Sequence, residues 1–236
     1  MMNPRSLNLA AGLAGSALLA GSASAVTLFT EDFEDAAVGY TTSIPEFTDN
    51  SSDFFLRTDG SNISGGYSVT GAGGSFYFAG QDIDGEGATL PVTQTFGNIA
   101  IAGFQDLAFS VLLAEDTAGD GNEDWDANDD SVVFEYQIDG GGYQSLYSVL
   151  PSGSGFNSQP AVNGTGVTDA FAAFTSAIAG TGSLLDIRIT WNLDSGDEDL
   201  AIDDVTVSGN LVPEPASLAL VGLGGLAMLG RGRRSV

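Results

Sequence analysis

Apolar and polar positions alternate in short runs along most of this chain, with the two-residue period of a β-strand rather than the 3.6-residue period of a helix. Leu107, Phe109, Val111 and Leu113 form one run, Val132, Phe134, Tyr136 and Ile138 a second, and Leu185, Ile187, Ile189 and Trp191 a third. The intervening positions are mostly polar, so each run presents one apolar face, and these faces are predicted to build the core. Asp139-Gly140-Gly141-Gly142 separates the second run from Tyr143–Val149, which predicts a hairpin over residues 131–149. Further strands are expected at 26–33, 54–58, 75–79, 89–96, 171–178 and 200–208. About ten strands between Gly, Asn, Asp and Ser clusters predict an all-β fold, an antiparallel β-sandwich of the jelly-roll type. Helical periodicity is absent outside the two ends, where an N-terminal signal helix and a C-terminal hydrophobic helix are expected.

The last of these strands contains a fault. Leu200 and Ile202 place their apolar side on even positions, whereas Val205 and Val207 place it on odd ones. A strand changes phase only through a bulge or a one-residue slip, so Asp203-Asp204 is expected to mark one and to have its carboxylates re-aimed by it.

Both ends read as processing signals. Residues 1–25 carry Arg5, an apolar run from Leu7 to Ala20 and the small-residue stop Ala23-Ser24-Ala25, the pattern of a secretory signal peptide. Residues 212–236 hold Val-Pro-Glu-Pro, a 15-residue apolar stretch from Ala216 to Gly230 and the cations Arg231, Arg233 and Arg234. A helix over that stretch is about 22 Å long at about 1.5 Å per residue, short of the roughly 30 Å hydrocarbon core. The three arginines place the C-terminus in the cytoplasm and the body outside. This order of motif, short span and arginine cluster resembles the PEP-CTERM sorting tail of exopolysaccharide-forming Gram-negative bacteria. The resemblance implies an inner-membrane intermediate held by the helix. It also implies an exosortase, a transpeptidase-like membrane enzyme, that recognises Pro213, Glu214 and Pro215 and cuts near them before release to the cell surface or extracellular matrix. An ordinary C-terminal anchor that is never cut is the alternative. Residues 26–211 remain as one exported domain.

Composition narrows the task of that domain. Set aside the ends, and Arg57 and Arg188 face 30 acidic residues with no lysine, a formal charge of −28. Nucleic acid is excluded as a natural partner, and divalent cations become an obvious one. Adaptation to salty water is the other reading of so acidic a surface, and both can hold. The chain has no cysteine and no histidine. Nucleophiles of the Ser-His-Asp or Cys-His kind, lysine Schiff bases and zinc sites with nitrogen or sulfur ligands are therefore ruled out. Only carboxylate chemistry survives, as in a glycosidase, and no acid stands in a recognisable catalytic context.

Two acidic stretches are candidate calcium sites. In a jelly roll the first and last strands commonly lie side by side, which would bring Glu31, Asp32 and Glu34 towards Asp203 and Asp204. Asp-Phe-Glu early and Ala-Ile-Asp-Asp-Val late also resemble MAM-type and carbohydrate-binding jelly rolls, although the cysteines of MAM domains are missing. That resemblance implies a structural calcium ion held by some of these five acids; the alternative is surface acids flanking strand ends. The second stretch, Asp120-Gly121-Asn122-Glu123-Asp124-Trp125-Asp126, spaces Asp120, Asn122, Asp124 and Asp126 at every other position, as in a calcium loop. Trp125 and Ser131 stand where an EF-hand needs Gly and Glu, so an EF-hand is rejected and a free-form loop or a solvated acidic loop remains. The shorter clusters at 82–86 and 194–199 are weaker candidates and equally good turn sequences.

Trp125, inside an acidic loop, is the candidate to stack on a sugar ring, with Tyr67, Tyr77 and Tyr143 as possible helpers. The commoner fate of an aromatic in a sandwich is a buried anchor, and Trp191 sits on a core-facing phase. The sequons opening at Asn50, Asn62 and Asn163 carry no meaning in a bacterial chain. The sequence thus points to an exported, non-enzymatic surface or matrix protein, calcium-stabilised, with extracellular polysaccharide as its ligand class. A carboxylate-only glycan-active enzyme is the competing reading.

Overall fold

The computed structural model describes residues 24–63, 67–116, 125–127, 129–155 and 158–213. Fourteen strands form along them: β1 Val26–Glu31, β2 Thr41–Thr42, β3 Phe47–Thr48, β4 Phe54–Thr58, β5 Tyr77–Gln81, β6 Val92–Ala100 and β7 Phe104–Ala114. These are followed by β8 Ser131–Ile138, β9 Gln144–Pro151, β10 Pro160–Val162, β11 Thr165–Gly166, β12 Ala172–Ile178, β13 Leu184–Asn192 and β14 Asp199–Leu211. Sheet A has the order β12-β7-β14-β5-β4-β3, with β1 also on β14, and sheet B the order β11-β10-β9-β8-β13-β6-β2. Their strand pairs are antiparallel throughout. The fold is therefore a β-sandwich, as the alternation predicts. The two terminal helices expected from the sequence fall outside the described residues.

The three apolar runs lie where their phase puts them. Phe109, Val111 and Leu113 point inwards from sheet A against Phe134, Ile187, Ile189 and Trp191 from sheet B, all fully buried. Trp191 is the aromatic hub, with Phe55 at 5.6 Å and Phe78 at 5.8 Å between ring centroids. Sheet A is covered on its outer face too, where Phe54, Leu56, Ile63, Tyr77 and Ala79 pack with Tyr67 and Phe171. That second layer explains why Phe54-Phe55-Leu56 is a continuous apolar run: β4 is buried on both faces.

The expected hairpin joins β8 to β9 with Val132 opposite Val149. Asp139 and Gly140 both take positive φ, 50° and 71°, and Gly141 N–H closes the turn on Ile138 O at 2.9 Å. Such a backbone twist matches that of the flanking strands. The four strands not foreseen, β2, β3, β10 and β11, are two or three residues long, too short to carry any periodicity.

Candidate functional site

β14 changes partner part-way along its length. Asp199–Ile202 pair with β5 and Val205–Gly209 with β1, while the register against β7 slips between Asp203 and Thr206. Asp204 takes φ 49° at this fork. The phase switch in the sequence is thus a real bulge, and it lets Ile202 and Val205 both reach the core.

Four of the five acids expected to converge lie within electrostatic reach of one another at the fork, but no three of them bring carboxylate oxygens within 4.8 Å of each other. Asp203 feels the charges of Asp204 and Glu34, and Asp204 those of Asp32 and Glu34. Backbone N–H groups already hold several of them. Gly73 donates to Asp203 Oδ2 at 2.7 Å and Asp204 N–H to Asp203 Oδ1 at 2.7 Å, while Ser75 and Phe76 donate to Glu34 Oε1 at 2.6 and 2.7 Å. The chain can come this close because residues 73 and 74 are glycines: a Cβ at Gly73 would lie 2.5 Å from Asp204 Oδ2. Burial pushes the Asp203 carboxyl up to about 6 in spite of its two hydrogen bonds. Glu31 is engaged separately, accepting from Phe33 N–H at 2.9 Å and from Gly39 N–H.

Of the second expected cluster, Asp120, Asn122 and Asp124 lie outside the described residues. Asp126 is described, and its N–H donates to Asp130 Oδ2. Trp125 is corrected. Its ring is fully buried in the main core, because its backbone bridges to Ser158, whose N–H donates to Trp125 O at 3.2 Å, and the bridge draws it inwards. A buried ring has no face to offer a sugar.

Two carboxylate groups were not singled out by sequence. Asp49, Asp53 and Glu86 form one and Asp130, Asp194 and Glu198 the other, with one oxygen from each member within 4.8 Å of the rest. Asp49 and Glu86 are exposed, whereas Asp130 and Glu198 are buried. The sequence signals were the short clusters at 82–86, which holds Glu86, and at 194–199, which holds Asp194 and Glu198, and both read equally well as turns.

The outer face of sheet B carries a polar row. Ser145, Glu135, Arg188, Thr95 and Thr41 lie side by side on five adjacent strands. Ile187 and Ile189, alternating with Arg188, fill the core and force Arg188 outwards. Its guanidinium donates to Glu135 Oε2 from Nε at 3.0 Å and Nη2 at 2.7 Å, and lies 3.6 Å from the centre of the Tyr143 ring. One step along the sheet, Gln137 Nε2 donates to Asp186 Oδ2 at 2.9 Å and Asn98 N–H to Asp186 Oδ1 at 2.8 Å. Thr41, Thr95, Gly97, Asn98 and Asp186 line a cleft of about 520 Å³ at the end of the row.

Beyond this domain, residues 211–234 match the family model of the PEP-CTERM protein-sorting motif. The chain carries a PEP-CTERM sorting tail. A PEP-CTERM tail implies export and membrane-anchored sorting. Among the described residues no helix is long and apolar enough to cross a membrane, and the apolar stretch of the PEP-CTERM tail lies outside them. No curated protein matches the chain. Among solved structures, a Stig cyclase from Fischerella sp. TAU superposes with a TM-score of 0.50 at 15% identity, over 80% of this chain and 100% of the cyclase. The CBM22-1 xylan-binding domain from Paenibacillus barcinonensis gives 0.40 at 9% identity, over 81% of this chain and 99% of that one. The K3 cleaved adhesin domain of Lys-gingipain from Porphyromonas gingivalis gives 0.42 at 13%, over 78% and 100%. The likeness to the cyclase is one of fold alone.

Proposed function

We propose that the chain is an exported, non-enzymatic surface or matrix protein, released near Pro213, Glu214 and Pro215 by an exosortase, whose β-sandwich binds extracellular polysaccharide on the outer face of sheet B. The observation that carries this reading is the row from Ser145 to Thr41. Glu135, Arg188 and Thr95 are half-buried, and the guanidinium is held in place from two sides by Glu135 and Tyr143. Hydroxyl, guanidinium and carboxylate groups fixed on paired strands suit the alternating donors and acceptors of a sugar chain, because little rotamer freedom is lost on binding. The row and its cleft are open along the sheet, a shape that suits a polymer.

Calcium belongs to the same proposal. The acids at the fork, Asp32, Glu34, Asp203 and Asp204, form a concentrated negative patch, and a hard cation with oxygen ligands would relieve it. Backbone N–H groups hold Asp203 and Glu34, and Glu34 N–H also donates to Asp32 Oδ1 at 3.2 Å, which leaves Asp204 as the acid most available to such an ion.

A glycan array scored together with reducing-sugar release, in calcium-containing buffer, tests the reading. Binding without release supports it. Release that disappears when a specific acid pair is mutated would replace it with a carboxylate-only glycan-active enzyme, and absence of any glycan binding would leave it without support.

A further inference from the structure

Two loops bring three carboxylates together just beyond the strand ends. Asp130 immediately precedes β8, Glu198 immediately precedes β14, and Asp194 lies two residues past the end of β13. Since β8 and β13 belong to sheet B and β14 to sheet A, the group stands where the two layers meet. Asp130 and Glu198 are each only 4% exposed, whereas Asp194 faces solvent, so the group is closed on the protein side and open on the other.

The hydrogen bonds leave one oxygen unmatched. Asp130 Oδ2 accepts from Asp126 N–H, and Glu198 Oε2 from Asp194 N–H at 3.1 Å. Asp130 Oδ1 is buried and has no hydrogen-bond partner. The side chain beside it is Glu198, another carboxyl, which can share a hydrogen bond with Asp130 only while one of the two holds a proton; two ionised carboxylates can only accept. Burial and this contact push the Glu198 carboxyl upwards.

Among the described residues no side chain supplies a countercharge. The chain has neither lysine nor histidine. Arg57 donates to the carbonyl oxygens of Phe33 and Glu34 and lies over Phe76, and Arg188 is paired with Glu135. A buried carboxylate pair without a cation is strongly disfavoured.

We propose that Asp130, Asp194 and Glu198 bind a divalent cation of the calcium class, which ties the start of β8 to the junction of the two sheets. Calcium accepts six to eight oxygens at about 2.3–2.6 Å in irregular geometry, whereas magnesium demands a near-ideal octahedron. Three carboxylates from two loops, with solvent on the Asp194 side to complete the shell, fit the first and not the second. The site shares no residue with the polar row of sheet B or with the fork on β14, and stands independently of the glycan reading.

The test uses the purified full chain in detergent, stripped with EDTA and titrated with calcium chloride while binding heat and thermal melting are followed. Wild type is compared with Asp194→Asn, whose exposed position leaves the fold intact, with Glu198→Gln, and with Asp204→Asn at the fork. A saturable site is expected in wild type, with a matching rise in melting temperature by mass action on the native state. Calcium affinity should fall at least tenfold in Asp194→Asn and the site should be lost in Glu198→Gln, while Asp204→Asn keeps it. An equal calcium response in wild type, Asp194→Asn and Glu198→Gln overturns the proposal, as does an equal response to magnesium or to sodium chloride of matched ionic strength. A wild type indifferent to calcium also overturns it, and assigns the Asp130–Glu198 contact to a shared proton.

Discussion

Arg188 and Glu135 stand directly opposite one another on β13 and β8, and both guanidinium hydrogen bonds end on the same oxygen, Glu135 Oε2. The pair is partly solvated, with side-chain exposures of 31% and 20%, so it contributes about 1 kcal/mol or less to stability. Its value lies in holding a cation still in the middle of a polar sheet face. Arg188→Ala is therefore expected to leave urea unfolding almost unchanged and to weaken binding of the best array polysaccharide about tenfold, roughly 1.4 kcal/mol. Calorimetric titration beside a denaturation curve checks both halves. Unaltered affinity would remove the row from the binding site.

Asp203 makes stability depend on pH in a definite direction. Its carboxyl is raised from 3.8 to about 6, chiefly by burial and further by Asp204 and Glu34. The folded chain thus binds more protons here than the unfolded one, so this group favours folding at low pH and the benefit is lost as pH rises from the unfolded value through about 6. In EDTA the melting temperature should fall between pH 4 and pH 7, and Asp203→Asn should fall less. Parallel profiles for the two proteins would show that Asp203 does not titrate in this range.

Trp191 closes the core between the sheets, in edge-to-face contact with Phe55. Trp191→Ala leaves a cavity beside Phe55 and Phe78 and should cost about 3–5 kcal/mol, read as a shift in the urea midpoint with little change in slope. Trp125 and Trp191 are the chain's two tryptophans and both are fully buried, so native fluorescence should be blue-shifted and resist acrylamide. Ready quenching would place one ring at the surface.

Processing of the tail is a question of mass. Intact mass spectrometry of the exported protein should show loss of the residues that follow the Pro213–Pro215 motif. Mature surface material that still ends at Val236 would instead identify a permanent anchor.

Much of the sandwich is legible in the chain because burial on one face of a strand imposes a period of two. Val132, Phe134 and Tyr136 show it on β8, and Ile187, Ile189 and Trp191 on β13. The bulge at Asp203-Asp204 is legible for the same reason, since a phase change in a buried strand has no other physical cause. Burial of Trp125 is not: an acidic neighbourhood reads as solvent, and the bridge to Ser158 comes from a distant loop. The polar row of sheet B was hidden too. Glu135, Arg188 and Thr95 each look like the solvent side of a separate strand, and they become neighbours only through register.

By itself, then, the sequence determined what local patterning and chemistry can express. These are strands with one apolar face, a hairpin at Asp139-Gly140, a phase switch at Asp203-Asp204, a lysine-free acidic body and a sorting tail. The tertiary structure alone decided which polar groups meet. Asp130 reaches Glu198, and Gly73 reaches Asp203, because strands far apart in the chain pair side by side, and that pairing depends on the summed burial of both sheets rather than on any residue's neighbours in sequence.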